Sequence, residues 1–137
     1  MRWKSSGRES RLQAMNCSGD AIVIPERGHY YIYSQVSFVG GGCENGSEVL
    51  ENTLLYSAPQ SRGRRQHQHQ QQQHPVELMQ ATQTVCQGPN NKPWYHSLHQ
   101  GGLHWLEKNT RISVKIRPFH RAELEHHKTF FGAFKLQ

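Results

Sequence analysis

The sequence has few of the residues from which a large, self-contained core is built. Hydrophobic residues make up 34% of its 137 positions, and no stretch approaches the roughly 18 consecutive apolar residues of a membrane span. The opening residues, MRWKSSGRES, also lack the apolar segment of a secretory signal. We therefore expect a single domain of modest stability that gains burial by associating with other copies, with any export element lying upstream.

Cysteine is scarce and recognisable catalytic motifs are missing. The three cysteines, Cys17, Cys43 and Cys86, are too few for a disulfide scaffold and do not have the spacing of a zinc site. One bridge and one leftover thiol is the simplest interpretation. There is no nucleophile elbow, no His-rich metalloprotease motif and no glycine-rich phosphate loop leading into a helix. We expect no enzymatic activity, no cofactor and no metal centre.

Negative charge is also in short supply. The net charge is +6 with histidine neutral, and the isoelectric point is near 9.5. Such a balance favours acidic partners, which could be nucleic acid, an anionic glycan or an acidic protein surface. The charge is dispersed and no nucleic-acid-binding motif occurs, so we expect no specific binding of nucleic acid.

The residues that are present indicate an all-β fold. No long segment has helical periodicity, while short β-branched or aromatic runs alternate with Gly, Pro and Asn. This pattern is typical of an antiparallel sandwich or barrel. We predict strands at 21–24, 29–39, 48–56, 76–85, 98–106, 111–117 and 128–136, with short edge pieces at 2–4 and 12–16.

The strand GHYYIYSQVSF, residues 28–38, carries bulky side chains on both of its faces. Alternation places one set, Tyr30, Ile32, Val36 and Phe38, opposite a second set, Tyr31, Tyr33 and Gln35. An antiparallel strand in a small soluble domain normally has one apolar, buried face and one polar, solvent-exposed face. Something must therefore cover the second face of this strand.

Residues 61–75, SRGRRQHQHQQQQHP, interrupt the strand pattern. Their Gln, His and Arg cannot build a core, so we predict a surface loop between two strands. His67, His69 and His74 could ligate a metal, but a tolerated repeat expansion is the preferred interpretation. A second group, Arg62, Arg64 and Arg65, either binds sulfated glycan or an acidic receptor surface, or is simply a solvated run of charge.

Two glycosylation sequons fit a secreted context. Asn45 lies in a glycine-rich loop and Asn16 precedes Cys17, each followed by Ser at the required position.

Four stretches together resemble the tumour necrosis factor homology domain. They are IVIPERGHYYIYSQVSF (22–38), the pair Cys43 and Cys86, KPWYHSLHQGGLHWLEKNTRISVKI (92–116) and TFFGAFKL (129–136). The resemblance implies a two-sheet antiparallel jelly-roll sandwich that assembles as a homotrimer. It further implies an extracellular cytokine that binds cysteine-rich receptor ectodomains between neighbouring protomers, with a type II membrane anchor upstream of this chain.

The resemblance accounts for the two-faced strand. The set that contains Tyr30 would face the space between the sheets, while the other face would meet the sister chains of the trimer. In the last strand, Phe131 and Ala133 would point inward. The implied trimer interface consists of Tyr31, Tyr33, Gln35, His99, Phe130, Phe134 and Leu136. His99 stands where many members have an aromatic near the three-fold axis, and neutral packed imidazoles are preferred there to a zinc site.

The resemblance also implies a disulfide and a receptor-binding region. Cys43 and Cys86 match the family's bridge at the receptor-proximal end, and Cys17 is then expected to be a buried free thiol. Trp94 matches a packed structural aromatic. For receptor contact, the matching loop favours Tyr56 at its base together with the basic residues Arg62, Arg64 and Arg65.

The sequence departs from the family pattern at its start. The first inner-sheet strand of the family has no counterpart, so residues 1–137 are expected to be one domain that lacks this strand. The alternative function is a complement-type globular head that recognises glycan or pathogen surfaces. Such heads usually follow a Gly-X-Y stem, so the sequence upstream would discriminate between the two.

Overall fold

Within the described residues the regular secondary structure is almost entirely β-strand. The computed structural model describes residues 16–18, 21–43, 46–59, 74–88 and 91–136. In these ranges the strands are β1 (Asn16–Ser18), β2 (Ala21–Val23), β3 (Gly28–Gly40), β4 (Glu48–Ser57), β5 (Val76–Val85), β6 (Trp94–Leu106), β7 (Arg111–Arg117), β8 (Ala122–Glu123) and β9 (Phe130–Lys135). A single turn of 3₁₀ helix spans Phe119–Arg121. None of the described segments forms a helix long and apolar enough to cross a bilayer.

The strands form two antiparallel sheets. One has the order β1-β2-β7-β4-β5, and the other has β6 beside β3, with β8 and β9 both pairing with the opposite edge of β3. Sequence-adjacent strands are often separated in the sheets, so several connections cross from one sheet to the other. The predicted two-sheet antiparallel jelly-roll sandwich is therefore confirmed.

Each of the seven predicted main strands overlaps an observed strand, β6 differs most, and β8 was not predicted. The prediction for 98–106 was too short, because β6 begins at Trp94 and pairs with all thirteen residues of β3. Pairing with β3 extends the strand back to Trp94, which directly follows Pro93. Residues 107–110 form the turn between β6 and β7, where Asn109 has the positive φ of 70° that asparagine tolerates. Of the two edge pieces, only residue 16 falls within the described ranges.

The inward face of β3 lies at the centre of the core. Tyr30, Ile32, Val36 and Phe38 are each fully buried, as the alternation predicted. The buried apolar side chains fall into two clusters along the sandwich. The first surrounds Tyr30 and Ile32, and the second surrounds Val36 and Phe38.

A small polar bridge separates the two clusters. Asn52 on β4 is fully buried; its Oδ1 accepts from the Ser34 hydroxyl at 3.0 Å and its Nδ2 donates to the Leu98 carbonyl at 3.1 Å. Gln100 donates from Nε2 to the Asn52 carbonyl at 2.8 Å. The bridge thus ties β4 of one sheet to β3 and β6 of the other. Because buried amides are costly when unpaired, it also disfavours any other register between the sheets.

We predict that Asn52→Ala lowers the free energy of unfolding by about 2–4 kcal/mol, because it leaves a buried hydroxyl and a buried carbonyl unpaired and opens a cavity. Urea unfolding followed by circular dichroism measures the change. Gln83→Ala, which removes an exposed amide, is the control and should change stability by less than about 0.5 kcal/mol. Equal stability of Asn52→Ala and wild type would show that the bridge does not stabilise the fold.

Candidate functional site

The outward face of the four-stranded sheet is rich in aromatic side chains. Cross-strand pairing from β6 through β3 to β9 arranges it in rows, namely His99–Gln35–Phe130, Gly101–Tyr33–Gly132 and Leu103–Tyr31–Phe134, with Trp105 beside His29 at the end. We call the side chains of Tyr31, Tyr33, Gln35, His99, Leu103, Trp105, Phe130 and Phe134 the outer aromatic face. They point away from the five-stranded sheet, since their neighbours along each strand point toward it.

The aromatic rings of this face pack against one another across the strands. Tyr31 lies 5.7 Å from Phe134 and 6.4 Å from Tyr33, and Tyr33 lies 6.3 Å from Phe130, measured between ring centroids. Gly101 provides room for this packing, because a Cβ at that position would collide with the Tyr31 hydroxyl. The rings therefore form a nearly continuous surface rather than separate exposed side chains.

Much of this face is accessible to solvent in the single chain. Leu103 is 55% exposed and Trp105 is 53% exposed, while the tyrosines are half-buried. Contiguous apolar surface of this kind on a soluble protein usually marks a protein interface. No described segment of the chain covers it.

Six of the seven side chains predicted for the trimer interface lie together on this face, and Leu136 follows directly after β9. The Leu136 amide donates to the His29 carbonyl at 2.8 Å, and its side chain is 41% exposed. Leu103, Trp105 and His29 were not among the side chains predicted for this face. The alternation that was applied to β3 also holds along β6, where His99, Leu103 and Trp105 share a face, and it would have identified two of them.

Toward the Gly40 end of β3, the outer aromatic face gives way to hydroxyl groups. Ser37 donates to the Lys128 carbonyl at 2.8 Å and lies 2.9 Å from the Ser97 hydroxyl. Gln35 donates to the same Lys128 carbonyl at 3.2 Å. The Tyr95 hydroxyl donates to the Ser37 hydroxyl and accepts from the Ser97 hydroxyl. These hydrogen bonds, with the one to Ser37 contributing most, lower the pKa of Tyr95. These bonds fasten the segment before β9 to the sheet.

A disulfide closes the same end of the sandwich. Cys43 and Cys86 are bonded, with their Cα atoms 5.2 Å apart, so the pairing that the resemblance implied is confirmed. The bridge joins the turn after β3 to the end of β5. It therefore connects the two sheets covalently where β3 and β4 are linked by a glycine-rich turn.

Beside the disulfide, an arginine fixes the segment that leads to β9. Arg121 donates to both carboxylate oxygens of Glu48, at 2.7 and 3.2 Å, and its guanidinium lies 5.5 Å from the Trp94 ring. Trp94 is half-buried and packs closely over Gly40, where a Cβ would overlap the indole. The predicted structural role of Trp94 agrees with this packing.

The predicted receptor contacts are only partly within the described residues. Tyr56 lies near the end of β4 and is half-buried, with its ring packed against the first core cluster. The arginines at 62, 64 and 65 lie outside the described residues. Since Glu48 begins β4 beside the disulfide, Tyr56 stands at the opposite end of the same strand, roughly 25 Å away at the usual rise per residue. Receptor contact through Tyr56 and contact through the disulfide end would thus engage opposite ends of the sandwich.

The remaining predictions concern modification and metal binding. Asn16 lies in β1, whose side chains are not described, and Asn45 lies outside the described residues, as do His67 and His69. His74 is exposed just before β5. In the described part of the chain no group of three or more His, Cys, Asp or Glu side chains is arranged to hold a metal ion.

Comparison with known proteins matches the chain to one family over almost its whole length. The family model described as TNF (Tumour Necrosis Factor) family matches residues 1–136. Among curated relatives, lymphotoxin-alpha of Marmota monax is 31% identical over 139 residues, which covers 99% of this chain and 63% of the relative. Lymphotoxin-alpha of Oryctolagus cuniculus and tumor necrosis factor of Delphinapterus leucas are also 31% identical and cover 99% of this chain, with 66% and 57% of their own length matched. The chain thus spans about three fifths of these relatives.

We predict that replacing both Cys43 and Cys86 by Ser lowers the free energy of unfolding by about 2–4 kcal/mol, because the bridge closes a loop with a sequence separation of 43. Urea unfolding without reductant measures the loss. Gln87→Ser, which changes an exposed residue next to the bridge, is the control and should unfold like wild type. Adding reductant should lower the free energy of unfolding of wild type to that of the double variant. A double variant as stable as oxidised wild type would show that the bridge contributes no stability.

Proposed function

The chain belongs to the tumour necrosis factor family, and from this we propose that it acts as an extracellular trimeric ligand. In this proposal three copies pack through their outer aromatic faces, and the trimer binds and clusters cysteine-rich receptors of the tumour necrosis factor receptor type. Three equivalent sites on one ligand convert modest single contacts into stable engagement, because later contacts form within an existing complex. The chain would reach the extracellular space through a segment upstream of it.

The observation that carries this proposal is the exposure of the outer aromatic face. Tyr31, Leu103 and Trp105 stand on a sheet whose other side already fills the core. Removing such a face from water contributes roughly 25 cal/mol per Å² of apolar area buried. A modest core inside each chain is consistent with a protein that obtains further stability from assembly.

The family match favours the ligand over the complement-type globular head, for which nothing in the comparisons gives support. The disulfide between Cys43 and Cys86 fits an oxidising extracellular environment. We also propose that the sequons at Asn16 and Asn45 carry glycan in that environment.

We predict that Leu103→Asp abolishes self-association, because three carboxylates would be buried in the interface without partners. Analytical ultracentrifugation of the wild-type chain should give the mass of a trimer, and that of the variant the mass of a monomer. Val49→Asp is the matched control, since Val49 is 51% exposed on a strand of the other sheet and should leave the trimer intact. A wild-type chain that stays monomeric at micromolar concentration, or a trimeric Leu103→Asp, would contradict the proposed interface.

For receptor recognition, we propose contact through Tyr56 and the arginines that follow it, with acidic receptor residues opposite. Charges at the rim of an interface mainly accelerate encounter, so their effect appears in the association rate and its salt dependence. A sulfated glycan offers the same anionic chemistry and is a second candidate partner of Arg62, Arg64 and Arg65.

We predict that the triple variant Arg62→Glu, Arg64→Glu, Arg65→Glu binds its receptor at least about tenfold more slowly at low salt, with a flatter salt dependence. Surface plasmon resonance against a panel of immobilised cysteine-rich ectodomains of the tumour necrosis factor receptor type measures both. The control carries the same charge change at three exposed positions, Arg27, Lys108 and Lys115.

If the arginine variant and the control bind the panel alike, recognition resides elsewhere. Loss of retention on heparin with unchanged receptor binding would assign the arginines to sulfated glycan instead.

A further inference from the structure

His104 lies on the inward side of β6, at the margin of the core. It pairs across the strands with Tyr30, which is fully buried, so its side chain points between the two sheets rather than toward the outer aromatic face. The residue is half-buried, but its Nε2 atom is buried and has no hydrogen-bond partner among the described residues. An imidazole nitrogen in this state has lost water without gaining a protein partner.

The imidazole and the Met79 thioether of the opposite sheet border the same space beside Gly102. A Cβ built on Gly102 would lie 3.2 Å from the His104 Nε2 and 3.1 Å from the Met79 sulfur, so both groups crowd the space that this glycine leaves free. Met79 belongs to β5, which is the edge strand of its sheet, as β6 is of the other. His104 and Met79 thus pack together where the two edges close the sandwich.

Among the described residues, no carboxylate of the strands packed against β6 is paired with His104, and on β4 Glu48 and Glu51 are paired with Arg121 and Arg117 instead. On β3 the facing titratable group is Tyr30. Its hydroxyl already donates its proton to the Glu26 carbonyl at 2.6 Å. On β5 the only carboxylate, Glu77, is exposed at the start of the strand. Methionine sulfur is only a weak acceptor. Burial alone lowers the pKa of His104 below its ordinary value of 6.5.

We propose that His104 makes the β5–β6 side of the sandwich acid-sensitive, so that protonation of its imidazole opens this side to water. The charged imidazole needs acceptors at both nitrogens, and near Met79 the described residues offer its Nε2 only a weak one. If the β5 and β6 edges separate, water reaches the charged imidazole, while the hydrogen bonds between the strands of each sheet stay intact. This device lies on the inward side of β6 and does not depend on the trimer or on a receptor.

The direction of the effect follows from proton linkage. Because burial depresses the folded-state pKa of His104, the unfolded chain binds more protons than the folded chain once the pH falls below about 6.5. The stability associated with the neutral imidazole is therefore fully present at pH 7.5. It is lost progressively as the pH falls toward 5, the range found in acidified compartments.

We predict that the urea midpoint of the whole 137-residue chain falls between pH 7.5 and pH 5.5, and that His104→Phe removes part of this fall, on the order of 0.5 M. Phenylalanine fills a similar volume and cannot be protonated. His120→Phe is the matched control, because His120 is exposed and should leave the fall as large as in wild type. All measurements use one protomer concentration, since assembly would otherwise shift the midpoint.

If the urea midpoint falls by the same amount in wild type and in His104→Phe, the proposal is wrong. If His104→Phe does not fold, hydrogen exchange on the wild-type chain provides the test. Amide protection, corrected for intrinsic rates, should then drop more in β5 and β6 than in β4 and β7 when the pH is lowered to 5.5. A uniform drop, or none, would equally overturn it. None of these results bears on trimer formation, which sedimentation at pH 7.5 tests separately.

Discussion

Strand β3 must keep both of its faces out of water, and the rest of the structure follows from this constraint. Its inward side chains, such as Tyr30 and Phe38, are covered by the five-stranded sheet of the same chain. Its outward side chains, Tyr31 and Tyr33, are covered only in part, by β6 and β9 on either side. A single chain of this composition can fill one side of the sheet. The other side is then left available for a second chain, which connects the internal architecture to the proposed assembly.

The interior is held in register by polar groups as well as by apolar packing. Asn52 stands between the two core clusters and bonds both to Ser34 and to the Leu98 carbonyl, so that sliding one sheet past the other would break several hydrogen bonds at once. The Cys43–Cys86 bridge and the Arg121 contacts secure one end of the sandwich in addition. On the β5–β6 side, the bridge at Cys86 holds the end of β5, and Gln100 of β6 donates to the Asn52 carbonyl of β4. Farther from the bridge, His104 and Met79 approach each other beside Gly102, and the proposed opening at acidic pH would begin there.

Much of the fold was predictable because it depends on patterns that are local in sequence. Alternation along β3 and β9 correctly assigned inward and outward side chains, and the turn residues located most strand ends. The β6 boundary was misplaced because its first residues directly follow a segment rich in Gly, Asn and Pro, and pairing with β3 extends the strand back to Trp94. For the candidate site, the face formed by β3 and β9 was anticipated, whereas Leu103 and Trp105 were missed because alternation was not carried onto β6. The disulfide pairing required the family resemblance, since spacing alone left three possibilities.

The sequence by itself determined the strand content, the two-faced character of β3 and the apolar character of its second face, because side-chain alternation is a property of any extended chain. Only the tertiary structure decided which distant residues meet. Asn52 finds partners 18 and 46 positions away, and His104 comes to lie beneath Met79 of the other sheet. Such contacts depend on how two sheets stack and on which strands form their edges. Neither is encoded within a stretch short enough to be recognised as a pattern.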